Sequence, residues 1–341
     1  MIERVSFIKR IERRLRVWRK HFVNSILYRI VDNTLSRKGF KEYSRFERPV
    51  KSQHGSFTPL EKKALEFASF DDNLRVIIPS LEIQIVYGCN LHCNGCSAFS
   101  PRSKGRISYD DVCQWSEAWC NKLRPQYLTL LGGEPLLHND LDKIIYAVSQ
   151  FWKDSQVRLI TNGLMLPKIK SEVFQAIKET NTSIEISKHY QSDDFDKEFS
   201  SALSFLDREN IAYQVRPSHG KWSNRYQIDT AGIPWPYHSN PKNAWDICVA
   251  DNCMTLMDNK VYRCSILASV ARGIEAKFLP PEWGERYCYT PLSADASPLE
   301  IRKHLLSQEM PVCGICPEER CLIELSDPRV PFNYSELKKA I

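Results

Sequence analysis

The chain has 341 residues, of which 43% are hydrophobic and 26% charged, with a formal net charge of +6. This balance gives room for one large folded domain and a smaller one, and argues against a disordered or fibrous chain. No stretch reaches the roughly eighteen apolar residues of a membrane-spanning helix, and the N-terminus lacks the apolar centre and cleavage site of a secretory leader, so a cytoplasmic location is expected.

The positive charge is concentrated at the start. Residues 1–51 carry fifteen Lys/Arg against five Asp/Glu, an excess of +10 that leaves the remainder at −4. Ile8, Ile11, Leu15, Trp18 and Phe22 recur at helical spacing, with Arg10, Arg13, Arg14 and Lys20 off that stripe, which predicts a basic amphipathic helix. Three uses suit it: packing on the main domain, peripheral contact with an anionic membrane, or nucleic-acid binding, the last being the least expected. Residues 48–59 read as a connecting loop, and the extension with its linker is assigned to 1–80.

From residue 81 short apolar runs alternate with helical stretches. Strands are predicted at 81–87, 126–133, 156–163, 182–187 and 211–217, and helices at 108–123, 139–152, around 168–180 and around 193–208. Such β–α repeats predict a parallel sheet with right-handed crossovers, whose functional sites form at the carboxyl ends of the strands. The alternation stops after 217. Residues 218–246 are rich in Pro, Gly and aromatics and read as an ordered connection or substrate-facing loop, in which Trp222, Trp235 and Tyr237 are either loop anchors or sugar-stacking rings. Residues 253–264 then read as a hairpin with Asp258-Asn259 at its turn.

Twelve cysteines accompany this pattern, nine of them in three groups. In a reducing compartment clustered cysteines point to metal rather than to disulfides. Cys113, Cys120 and Cys288 stand apart and read as small apolar residues. Cys89, Cys93 and Cys96 form a C-x3-C-x2-C array directly after the first strand, on the functional rim. Three thiolates leave one metal position of an iron–sulfur cube open; a zinc ion with a distant fourth ligand is the other use of such a triple. After the second strand, Gly132-Gly133-Glu134-Pro135 places a carboxylate on the same rim, with glycines that allow close backbone approach.

Together these residues resemble the radical S-adenosylmethionine (SAM) enzymes over about 81–217. The resemblance implies an α/β fold, a partial (β/α)6 barrel, in which Cys89, Cys93 and Cys96 hold a [4Fe–4S] cluster whose open iron chelates SAM. It implies that Gly132, Gly133, Glu134 and Pro135 bind SAM's methionine end, with Asn162 of "TNG", Ser187 and Arg216 as further cofactor contacts. One departure is visible. Gly95 stands where many members carry an aromatic residue before the third cysteine, leaving His92 or Phe99 as candidate adenine contacts.

"CVADNCMTLMDNKVYRC" (248–264) and "PVCGICPEERC" (311–321) supply a second thiol set. Taken alone, a cysteine-flanked hairpin closed by C-x2-C suits zinc or an iron–sulfur cluster, structural zinc slightly the more. The segment 247–325 is similar to the SPASM/twitch extensions of radical SAM enzymes, and that similarity implies one auxiliary [4Fe–4S] cluster on Cys253, Cys264, Cys313 and Cys316, with Cys248 or Cys321 as alternates. Residues 326–341 are left as a tail.

The motifs are also similar to those of radical SAM proteins associated with bacterial surface-polysaccharide gene sets. That similarity implies a sugar or nucleotide-sugar substrate undergoing oxidation, epimerisation or dehydration, with flavodoxin or ferredoxin as electron donor. Cys120, Cys288 and Cys321 are candidate catalytic hydrogen donors. Two alternatives stand beside this reading: modification of a ribosomally made peptide, and a non-catalytic iron–sulfur or zinc protein that binds nucleic acid.

Overall fold

The structure, a computed structural model, describes residues 71, 73–218, 224–248, 250, 253–305, 307, 309–320 and 326–331. The basic helix expected within 1–51, the 48–59 loop, Trp222 and Cys321 lie outside the described residues. Within the unit spanning Lys51–Ile341, the chain alternates strands and helices as expected. β1 (Val76–Val86) leads through a long loop to α1 (Tyr109–Trp119) and β2 (Leu123–Gly132). There follow α2 (Leu141–Phe151), β3 (Gln156–Thr161), α3 (Ser171–Glu179), β4 (Ser183–Lys188), α4 (Asp193–Arg208) and β5 (Tyr213–Pro217). β1 to β5 pair in chain order, all parallel.

The helix starts follow from capping chemistry. Ser108 accepts the Asp111 N–H while the Asp111 carboxylate takes the Ser108 N–H, a complete capping box for α1. Ser192 caps α4, whose first turn carries Asp193, Asp194 and Asp196 against the positive end of the helix dipole.

The side-chain period of two gives β1 two different faces. Leu81, Ile83 and Ile85 are fully buried in the main core with Trp119, Leu128, Leu130, Ile144 and Ile145. The alternate residues Ser80, Glu82 and Gln84 are also buried, but polar. Thr129, Arg158, Glu185 and Thr255 join them, by Ser80–Thr129 and Arg158–Thr129 hydrogen bonds and an Arg158–Glu185 ion pair. Strands buried on both faces are usually apolar throughout. Here the inner, concave face is polar, and that marks the side on which chemistry can be housed.

Beyond β5, a two-stranded hairpin of β6 (Gln227–Ile228) and β7 (Pro234–Trp235) precedes α5 (Pro241–Asp246). The cysteine-flanked hairpin forms as β8 (Met254–Met257) and β9 (Lys260–Tyr262). Asp258 and Asn259 turn it at φ 52° and 55°, the left-handed pair a tight hairpin needs. β8 adds to the barrel sheet on the far side of β1, parallel to it, with Leu81 opposite Met254 and Ile83 opposite Leu256. The sixth parallel strand therefore follows β1 in space and not β5. The chain continues through α6 (Ser265–Glu275), α7 (Pro281–Arg286), β10 (Leu292–Ser293) and α8 (Pro298–Leu305), with β10 paired on β9. A second apolar cluster, centred on Trp283, Tyr262, Ile266 and Val270, underlies this part. No helix among the described residues is long and apolar enough to cross a membrane.

Candidate functional site

β1 ends at Val86, and the chain immediately becomes the 87–99 loop carrying Cys89, Cys93 and Cys96. The three thiols are half-buried and close enough to act on one another. Burial, and after it the neighbouring Cys96 and Cys89, raise the Cys93 thiol; burial and then Glu134 push Cys89 up to about 12. Burial favours the neutral thiol, so a bound cationic centre would be needed to hold all three as thiolates. Gly95 sits at φ 72°. A side chain there would be strained, which accounts for a glycine in place of an aromatic residue.

The two glycines of "GGEP" have a role the sequence did not show. A Cβ on Gly132 would overlap the main chain of Val86, and one on Gly133 the carbonyl of Gly88. In their place run backbone hydrogen bonds from Gly133 N–H to Val86 O (2.8 Å) and from Glu134 N–H to Gly88 O (3.0 Å). The close approach is thus between the end of β2 and the base of the cysteine loop. Glu134 is carried directly beneath that loop.

Glu134 is fully buried. Its Oε1 accepts from Thr161 Oγ1 (2.6 Å) and Leu136 N–H (3.0 Å), and its Oε2 from Asn162 N–H (2.9 Å). Burial raises this carboxyl to about 7 against the lowering effect of those donors. Pro135 is buried in the short 3-10 turn that follows. Thr161 was missed at the level of sequence; the "TNG" run that contains it was the available signal. Asn162 Nδ2 reaches Asn90 Oδ1 at 2.7 Å and Cys89 Sγ at 3.8 Å, tying the end of β3 to the cysteine loop.

Ser187 and Arg216 stand side by side in the β4–β5 register. Ser187 is 9% exposed, and the Arg216 guanidinium pairs with Glu185 at 3.1 Å at the open edge of the sheet. Phe99 is not placed to contact an adenine. It is 1% exposed, stacked on Tyr226 at 4.8 Å and edge-on to Trp283, because it anchors the loop in the second apolar cluster. His92 remains half-buried at the loop, its N–H bonded to Pro328 O.

In the second thiol set, Cys248, Cys264, Cys313 and Cys316 line one pocket with Arg225, Trp245 and Arg263. Burial, then Cys248, pushes Cys316 up to about 12; Cys264 is raised by burial and then by Cys248 and Cys316. Arg263 stacks over Trp245 at 5.2 Å, and its charge faces these thiols. Cys253, the sequence's first choice, does not line the pocket. Its thiol hydrogen-bonds Glu82 on the polar inner face, since it stands one residue before β8 and two before Thr255, the partner of Glu82 in the sheet register. Cys248, the alternate, lines it instead.

No three His, Cys, Asp or Glu side chains among the described residues are arranged around a single ion. Three thiols on one rim loop, and four lining one pocket, are donor chemistry suited to iron–sulfur ligation.

The remaining candidates lie elsewhere. Cys120 caps the C-terminal end of α1, three residues before β2 begins, and so lies at the amino ends of the strands, away from the rim. Cys288 is exposed, contrary to its reading as a buried apolar residue. Trp235 donates to Asp229 at 3.0 Å and the Tyr237 N–H to Ile315 O, both anchoring the connection.

Residues 83–213 match the family model of the Radical SAM superfamily. That match takes in the parallel sheet and its rim loop of three cysteines, and proteins of this superfamily use a [4Fe–4S] cluster and SAM. More narrowly, this chain is similar to GTP 3′,8-cyclase of Staphylococcus saprophyticus, with 28% identity over 124 residues, 33% of this chain and 36% of that protein. It is 31% identical over 131 residues to GTP 3′,8-cyclase of Clostridium acetobutylicum, covering 35% of this chain and 38% of that one. The chain thus matches little more than a third of the length of these curated relatives. Among solved structures, BtrN in complex with AdoMet and 2-DOIA aligns at a TM-score of 0.40 and 15% identity over 72% of this chain and 98% of that one. Native anSMEcpe with bound AdoMet aligns at 0.33 and 18% over 40% and 42%.

Proposed function

We propose that the protein reductively cleaves SAM to a 5′-deoxyadenosyl radical and uses it to take a hydrogen atom from a carbohydrate, in particular a nucleotide-linked sugar. The observation that carries this reading is the three-cysteine loop joined at its base, through the Gly88 carbonyl, to Glu134, which is itself locked by Thr161 and Asn162. When bound, the cluster supplies the electron that breaks the sulfonium C–S bond. Glu134 offers a buried carboxylate to an amino group, Ser187 and Arg216 offer a hydroxyl and a cation at the open edge, and the polar inner face can orient hydroxyls. The matched relatives are named for a nucleotide, GTP, which supports a nucleotide-linked substrate over a peptide. A flavodoxin or ferredoxin is the electron donor of this scheme, and an auxiliary [4Fe–4S] cluster on Cys248, Cys264, Cys313 and Cys316 completes it. The basic stretch 1–51 suits peripheral contact with an anionic membrane.

The test is anaerobic reconstitution with dithionite and SAM. Wild type is expected to form 5′-deoxyadenosine and Cys93→Ala to form none above background. Deuterium carried from labelled nucleotide sugars into 5′-deoxyadenosine identifies the substrate class; transfer only from labelled peptides would replace the carbohydrate reading.

A further inference from the structure

Asn162 directly follows β3 and is 4% exposed. Its side-chain carbonyl accepts the Leu164 N–H at 3.1 Å, which fixes the oxygen end of the amide. The NH2 end therefore faces the cysteine loop. Its two hydrogens have two acceptors: Asn90 Oδ1 at 2.7 Å and Cys89 Sγ at 3.8 Å. The Leu91 N–H approaches the same sulfur at 3.4 Å. Meanwhile the Asn162 main-chain N–H holds Glu134 Oε2 at 2.9 Å. One buried residue grips the rim carboxylate with its backbone and the first cysteine with its side chain.

We propose that Asn162 is a positioning residue that sets the reduction potential of the cluster held at Cys89, through its N–H···S contact, while fixing Glu134 at the base of the same loop. This role presupposes the radical SAM reading above. An N–H donor stabilises a sulfur more as that sulfur gains negative charge, so the contact favours the reduced cluster and raises its potential. Without the donor, reduction becomes harder. Asn90 serves a different end: it accepts the other amide hydrogen, while the Leu164 N–H sets the amide's orientation.

The experiment is an EPR-monitored redox titration of the full-length, anaerobically reconstituted protein, following the [4Fe–4S]⁺ signal that changes when SAM is added. Asn162→Ala and Asn162→Asp are each expected to lower the reduced-to-oxidised ratio at a fixed potential about tenfold, which is about 59 mV for a one-electron couple. Asn162→Asp retains an acceptor for Leu164 N–H and supplies the measurement should the alanine variant lose its cluster. Asn90→Ala is expected to stay within about twofold of wild type, because the N–H···S contact survives it. Unchanged midpoints in both Asn162 variants, with a SAM-responsive signal present, would overturn the Asn162 role and leave the radical SAM reading standing. A wild-type protein with no SAM-responsive signal would overturn both.

Discussion

Replacing Gly133 by Ala tests the packing of the site more directly than any cysteine change. The added methyl would overlap the Gly88 carbonyl and come within 3.0 Å of Cys89 N, all of it main chain that no rotamer change can move aside. Relief requires β2 and the cysteine loop to separate, which breaks the Glu134 N–H to Gly88 O bond at 3.0 Å and strains the Gly133 N–H to Val86 O bond at 2.8 Å. Leaving one buried backbone pair unmade costs about 1–3 kcal/mol, and overpacking a rigid contact adds about 1–3 kcal/mol. A loss of about 2–6 kcal/mol is therefore expected by urea denaturation, together with reduced iron retention at Cys89, Cys93 and Cys96. Gly284→Ala is the control, because a Cβ there meets nothing nearer than 4.0 Å; it should change stability by less than about 1 kcal/mol. If Gly133→Ala unfolds within about 1 kcal/mol of wild type and still loads iron, the close crossing of β2 under the loop is wrong.

Three further outcomes follow from the same geometry. Burial raises Glu82 to about 7 against an ordinary 4.5, and no described group bonds its Oε2. An acid whose folded pKa is raised contributes its full stability below the unfolded value and loses it as pH climbs from about 4.5 to 7, so Glu82→Gln should flatten that decline and be the more stable form at pH 8 by about 3 kcal/mol. A wild-type stability that rises over that range would refute it. In a background lacking Cys89, Cys93 and Cys96, Cys248→Ala should abolish residual iron and sulfide whereas Cys253→Ala retains them; the opposite result would restore the hairpin-flanking cysteine as ligand. Phe99→Ala should cost about 3–5 kcal/mol as a core truncation while leaving SAM affinity of the loaded protein within a few-fold, and a selective loss of affinity would make Phe99 a cofactor contact.

Local chemistry was legible in the residues, and spatial neighbours were not. The helix expected around 193–208 runs over Asp193–Arg208, because Ser192 and three aspartates mark its start unambiguously. β1 and β2 begin at Val76 and Leu123, earlier than the expected 81 and 126. Pro79 and Pro125 obscured both starts, since a proline reads as the end of a strand, yet both sit near the amino ends where a missing N–H is tolerated. The C-x3-C-x2-C loop and "GGEP" were readable because spacing itself encodes metal and turn chemistry. That Cys248 lines the second thiol pocket while Cys253 lies beside Glu82 was not, for it depends on how β8 meets β1, a contact between residues far apart in the chain. Phe99 misled for a related reason: a lone aromatic beside a cofactor loop looks the same whether it faces the ligand or plugs the neighbouring core.

The docking of β8 alongside β1 has a consequence for anyone cutting this protein apart. Without the segment after Cys253, the strand that leads into the cysteine loop would present a naked row of amides and carbonyls from Leu81 to Ile83. Such an uncovered border invites pairing with other chains. A shortened version ending after β5 should therefore self-associate, and a replacement C-terminal half grafted from a relative will work only if it brings a strand able to zip onto that border.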